Sequence, residues 1–133
     1  MLDLDDVSEY ADLPSAIDAV AAVFAADTRG DTIIPAKSYI DLPEYNGDFP
    51  SMPAYVHAGE WDTAAVKWVN VQPDNPADHD LPTVLGTLIY PDPETAFPLT
   101  VMDGTNLTRL RTGAAAAVAA DHLNNPARYK NAA

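Results

Sequence analysis

No cysteine occurs among these 133 residues, which excludes disulfides and thiolate metal sites alike. Long apolar runs are missing too. Nothing approaches the roughly 18–20 consecutive apolar residues that span a bilayer, so no transmembrane helix is expected. The opening Met1-Leu2-Asp3-Leu4-Asp5-Asp6 has no cationic stretch and does not read as a signal peptide, leaving the cytoplasm as the expected compartment. Bases are scarce: seven face twenty acids, for a formal net charge of −13. Such a surface repels phosphate polyanions, so neither nucleic acid nor an anionic membrane is an expected partner. The carboxylates are scattered singly rather than gathered into an acidic tail. That scatter reads as adaptation to high intracellular salt, where the Debye length shrinks to about 3 Å at 1 M; an ordinary acidic protein is the alternative. A glycine loop of the G-x-G-x-x-G kind is also absent, so the chain carries no nucleotide-binding fingerprint and no bound cofactor is expected for it alone.

What is present argues for one globular domain: the length suits a single core, and hydrophobic residues make up 47%. Asp12 as N-cap, Pro14 in the first turn, apolar residues at Leu13, Ile17, Val20 and Phe24, and a stop at Gly30 predict a helix over 13–28. Strands are expected over 33–42 and 49–57, joined by a hairpin at Tyr45-Asn46-Gly47-Asp48. Further strands are expected over 63–71, 84–90 and 97–102, with a proline-punctuated polar loop over 72–83. A last helix should begin near Asp103 or Thr105 and run through the alanine-rich stretch to about Leu123. Helix, hairpin-linked strands, helix: the pattern predicts an α+β fold with a largely antiparallel sheet flanked by helices.

With so few bases, the position of each carries weight. Arg29, Arg128 and Lys130 have ordinary explanations at a helix end and in a polar tail. Lys67 interrupts the strand 63–71 on a period-2 face shared with Ala65, Val69 and Val71. It is either a site residue, with a perturbed pKa, or a lysine reaching from an edge strand to water. Lys37 shares a face with Ile33, Pro35 and Tyr39, and taken by itself reads as an ordinary lysine reaching to water. Arg111 falls at helical spacing with Leu107, Ala114, Ala115 and Val118, on the apolar side, where a structural ion pair is the alternative. Three cations aimed among apolar neighbours would converge on an anion, of which a carboxylate is the simplest.

Nine segments then occur in order: Ile34-Pro35-Ala36-Lys37-Ser38-Tyr39, Gly47-Asp48-Phe49-x-Ser51-Met52-Pro53-Ala54-Tyr55, Val66-Lys67-Trp68-Val69-Asn70, Pro73-x-Asn75-Pro76, Leu81-Pro82-Thr83-Val84, Asp92-Pro93-Glu94-Thr95, Phe97-Pro98-Leu99, Met102-Asp103-Gly104-Thr105 and Leu110-Arg111-Thr112-Gly113-Ala114-Ala115. In these the chain resembles the N-terminal, substrate-binding and dimerisation domain of the ornithine cyclodeaminase / mu-crystallin family, which includes archaeal alanine dehydrogenases; with its acidic surface it looks like a haloarchaeal type. The resemblance implies that Lys37 and Arg111 hold a substrate carboxylate and that Thr83 borders the substrate. It implies that Lys67 is catalytic, sitting beside the reacting carbon and handling a proton. The expected ligand is a small amino or keto acid and the expected assembly a homodimer. NAD(H) would serve the full-length family through a Rossmann domain.

Two positions depart from the family pattern. Pro50 stands where arginine is usual, removing a cation, and Gln72 stands where histidine is frequent. The domain is expected to cover 1–123. Residues 124–133 read as a polar tail where the Rossmann half would begin, so the chain is expected to be inactive alone, as an excerpt or a truncated product. A non-catalytic carboxylate-binding or dimerisation module is the second reading. Asp74, Asp78, His79 and Asp80 fit neither EF-hand spacing nor a helical histidine pair, so no metal site is expected.

Overall fold

The computed structural model describes residues 1–124; the tail expected beyond Asn124 lies outside them. Two helices open the chain. The first, α1 (Leu4–Tyr10), was not foreseen, because seven residues are too few to show a period. It is fixed by a capping box in which Asp3 accepts from the Asp5 and Asp6 N–H groups while Asp6 accepts from that of Asp3. The second, α2 (Leu13–Arg29), starts at the expected cap, where Asp12 accepts from the Ser15 N–H at 2.9 Å, and stops at Gly30 with φ 81°. Its covered stripe differs from the one expected. Ile17 and Val20 are half-buried as expected, but the buried residue is Ala26, and Leu13 and Phe24 stay 45% and 49% exposed. The cause lies in the partner helix, α4 (Thr105–Leu123), whose Ala114 is completely buried: small residues on both helices permit close approach.

Seven strands form one sheet in which every strand pair is antiparallel: β1 (Thr32–Ile33), β2 (Asp41–Leu42), β3 (Gly47–Asp48), β4 (Ser51–Ala58), β5 (Trp61–Val71), β6 (Val84–Pro91) and β7 (Pro98–Asp103). The α+β architecture is therefore the one expected. The predicted strand 33–42 is broken into β1 and β2. Extending the Ile33↔Tyr55 register places Pro35 opposite Pro53, and neither has an N–H to offer the ladder. β3 and β4 are likewise one path along β5, interrupted at Phe49-Pro50, since Asp48↔Val71 and Ser51↔Trp68 keep a single register. The expected Asn46-Gly47 hairpin is realised differently. Asn46 takes the left-handed conformation (φ 49°), whereas Gly47 lies in β3, where a Cβ would overlap the Gln72 amide. Between β4 and β5, Gly59 (φ 62°) and Glu60 make a two-residue turn.

The loop 72–83 contains a single helical turn, α3 (Asn75–Asp78), and is closed by the Gln72 N–H donating to the Thr83 carbonyl at 2.8 Å. Where β7 passes into α4, Asp103 Oδ1 accepts from the Thr105 and Asn106 N–H groups at 2.9 and 3.1 Å. Here Gly86 and Gly104 bring their backbones together; a Cβ on Gly86 would come within 3.0 Å of the Gly104 carbonyl carbon. That contact seats the first turn of α4 on β6.

Directly opposed residues of an antiparallel sheet share a face. One face, carrying Met52, Lys67, Leu88 and Met102 in one row, turns towards α2 and α4. The other carries Ile33, Phe49, Val66, Trp68 and Ile89. Among the described residues no helix covers it, and Ile33 and Trp68 are 63% and 46% exposed. The core is correspondingly thin, with Val7, Ala26, Val69, Ala114 and Val118 its buried hydrophobic members.

Candidate functional site

Lys67 sits at the middle of β5 on the helix-covered face, so strand alternation alone points its ammonium between the sheet and α4. Nζ donates to Thr108 Oγ1 at 3.2 Å, and that hydroxyl donates in turn to the Gly104 carbonyl at 2.6 Å. With its single proton committed to a carbonyl, Thr108 can only accept from Lys67. If Lys67 loses a proton, the amine still gives one N–H to Thr108 and its lone pair faces away from that helix turn. The first turns of α4 thus orient a base as well as an ammonium.

Burial is the main reason that Lys67 is brought down from the usual 10.5 to about 8; the charge of Arg111 comes second and that of Lys37 third. Lys67 and Arg111 line one cavity of about 430 Å³, walled by α2, β6 and α4 through Ala16, Val20, Leu88, Leu107 and Leu110. Lys37, on the interrupted segment between β1 and β2, is near enough to act on Lys67 through its charge. Among the described residues the ion pairs are Arg29–Asp31 and His57–Asp62, so none of these three cations has a carboxylate within ion-pair range. In a chain with twenty acids, that is an unusual place to leave three bases unneutralised.

The expectation that all three cations lie among apolar neighbours needs correction. Only Lys67 is half-buried; Lys37 and Arg111 are exposed, Arg111 although it shares a helix face with Ala114 and Val118, because it opens onto the cavity that it lines with Leu107 and Leu110. Thr83 does not line the Lys67 cavity. It lines a neighbouring one of about 560 Å³, with Thr105, Thr108, Arg109 and Thr112. Thr108 belongs to that wall and also holds Lys67, and so joins the two spaces. The three α4 threonines escaped the sequence reading, although their 105/108/112 spacing puts them on one side of a helix. Pro50 is buried on the face of Val69, and its carbonyl accepts the Val69 N–H at 3.2 Å, so it takes a structural place in the sheet.

No group of acidic or histidine side chains among the described residues is arranged to hold a metal ion. Asp74 is instead engaged by the Asn46 amide at 3.2 Å. Among the described residues, the turn from β7 into α4 does not fit a dinucleotide. The strand-to-helix turn at Asp103–Thr105 has its helix N–H groups taken by Asp103, and Gly104 is packed on Gly86 instead of opening room for a pyrophosphate. No described helix is long and apolar enough to cross a membrane.

Comparison with known proteins sets this geometry in context. The family described as "Ornithine cyclodeaminase/mu-crystallin family" matches residues 1–129. The alanine dehydrogenase of Archaeoglobus fulgidus is 40% identical over 123 residues, 92% of this chain and 36% of that protein. A Staphylococcus aureus N-((2S)-2-amino-2-carboxyethyl)-L-glutamate dehydrogenase is 31% identical over 80% of this chain and 33% of its own length. Among solved structures, an archaeal alanine dehydrogenase dimer with bound NAD superposes with TM-score 0.85 at 40% identity, covering 93% of this chain and 37% of that one. The Thermococcus litoralis Δ(1)-pyrroline-2-carboxylate reductase in complex with NADH and L-proline gives 0.88 at 32% identity, covering 93% and 38%. The chain spans about a third of the length of the relatives it matches.

Proposed function

We propose, because the chain belongs to the ornithine cyclodeaminase/mu-crystallin family, that it is the substrate-recognising part of an NAD(H)-dependent enzyme acting on a small amino or keto acid. The observation that carries this reading is that Lys37 and Arg111 lie close to the half-buried Lys67, with no carboxylate among the described residues paired to any of the three. Arg111 and Lys37 supply a carboxylate clamp at the exposed rim, where a ligand can reach them. Lys67, near 8, exchanges a proton with the substrate at neutral pH. Thr83 borders the ligand from the adjoining cavity. The hydride belongs to NAD(H) held outside these residues, so the chain alone neither binds the dinucleotide nor turns over substrate. The uncovered sheet face, with Trp68 at its centre, pairs with a second copy to make a homodimer.

The test is a titration of the chain in molar KCl with pyruvate and L-alanine, following the Lys67 side chain by NMR. A bound carboxylate brings negative charge to Lys67 and should raise its pKa above 8. The double variant Lys37→Ala/Arg111→Ala should weaken binding at least about tenfold, as expected for loss of charge-assisted hydrogen bonds. A Lys67 resonance that ignores both ligands at tens of millimolar (~10–50 mM, the weak end of small-ligand affinity) would overturn the reading.

A further inference from the structure

The Lys67 amine has open space in front of it and no anion against it. Its cavity of about 430 Å³ is shared with Arg111 and walled by hydrocarbon from α2, β6 and α4. Tyr10 and Asp12 also reach the lining. Hydrogen bonds from the Ser15 N–H and hydroxyl hold the Asp12 carboxyl below the usual range, so it stays charged with lone pairs to spare. It stands beyond ion-pair range of Lys67 and Arg111, however, and the charges that act on Nζ are those of Arg111 and Lys37. Burial and those two charges leave about half of Lys67 as the neutral amine at pH 8. A desolvated lysine beside other cations is a nucleophile.

We infer that Lys67 is a modification site, whose amine takes up carbon dioxide to become a carbamate anion lying between Arg111 and Lys37. In this step the Nζ lone pair forms a bond to the carbon of carbon dioxide. One C=O electron pair moves onto oxygen and a proton leaves nitrogen for water, so nothing is oxidised or reduced. The product suits its neighbours. A carbamate nitrogen keeps one N–H, and Thr108 Oγ1, its own proton spent on the Gly104 carbonyl, can accept it. The new carboxylate brings the two remaining bases the negative charge that no side chain pairs with them. An uncharged gas also enters a hydrocarbon-walled cavity without the desolvation cost that an ion meets.

The full chain, equilibrated with isotope-labelled bicarbonate at the Lys67 midpoint of about 8 in molar KCl, is read by carbon NMR. Alkylation with triethyloxonium then fixes any carbamate for peptide mapping. The expected result is an adduct at Lys67 that disappears in Lys67→Met. Lys37→Ala/Arg111→Ala changes two exposed positions, which the fold should tolerate, and should lower occupancy about tenfold. No carbamate on the unaltered chain, an adduct confined to Met1 or Lys130, or one that the double variant holds equally well would overturn the inference. The cations are those of the proposed function but the ligand is not. A Lys67 that responds to pyruvate yet takes up no carbon dioxide would therefore defeat the carbamate and leave that reading standing.

Discussion

Lys67 and Trp68 are consecutive on β5, yet the sheet sends them to opposite sides with their usual preferences reversed. The ammonium lies half-buried beneath α4, and the indole lies 46% exposed on a face that no described helix covers. A strand serving only its own fold would bury the large apolar ring and leave the charge in water. On the proposed function the two faces serve different ends: the covered face an anion, the open face a partner surface. Breaking the open face should have the largest effect. Trp68→Glu removes the central aromatic, which packs edge-on to Phe49 at 5.8 Å, and adds negative charge to a chain already at −13. It should convert a dimer in molar KCl to a folded monomer in sedimentation velocity. Withdrawing salt from the unaltered chain should also drive dissociation, with partial unfolding, as repulsion between copies loses its screening. A compact wild-type monomer indifferent to salt would sink both the interface and the high-salt reading.

The two faces were not equally legible in the sequence. Alternation along 63–71 placed Lys67 correctly against Ala65 and Val69, because period 2 needs only the strand itself. The strands flanking it were found to within a residue or two for the same reason. What failed depended on contacts between distant segments. Pro35 breaks its strand because Pro53 lies across from it, and Gly47 is glycine because Gln72 arrives from another loop. α2 buries alanines in place of Phe24 because α4 is lined with alanine. Thr108 was invisible as a site residue for a similar reason. Its spacing on α4 is readable, but its contact with Lys67 crosses 41 positions.

Neutralising the covered face should have a moderate effect of opposite sign for stability and for function. Lys67 falls to about 8 in the folded chain from the usual 10.5. Between those values the unfolded chain binds more protons, so stability should rise with pH from about 8 towards 10. Below pH 8 the folded state bears the cost of the half-buried ammonium. The full shift would correspond to ~3 kcal/mol, and solvent screening of a side chain this open reduces it to about 1 kcal/mol. Lys67→Met should therefore melt a few degrees (~3–6 °C) higher than wild type at pH 7. The gap should close as pH approaches 10, and the response to carboxylates should vanish. A variant less stable at pH 7, or a gap that does not change with pH, would show that the ammonium is not under strain.

The smallest effect separates the lysine from the device that aims it. Thr108 accepts from Lys67 while its own proton is tied to the Gly104 carbonyl, so its hydroxyl favours the charged amine without being able to donate to the neutral one. Thr108→Val keeps the shape and removes the acceptor. The Lys67 pKa should then fall below 8 by about half a unit, the share expected of one hydrogen bond to a partly solvated charge. Thr108→Ser restores the hydroxyl and should return the wild-type value. A side-chain NMR titration of Lys67 in the three proteins reads this directly, and a general loosening of α4 would not produce rescue by serine. If valine leaves the titration unmoved, or serine shifts it as far as valine does, Thr108 fills space beside Lys67 and does not orient it.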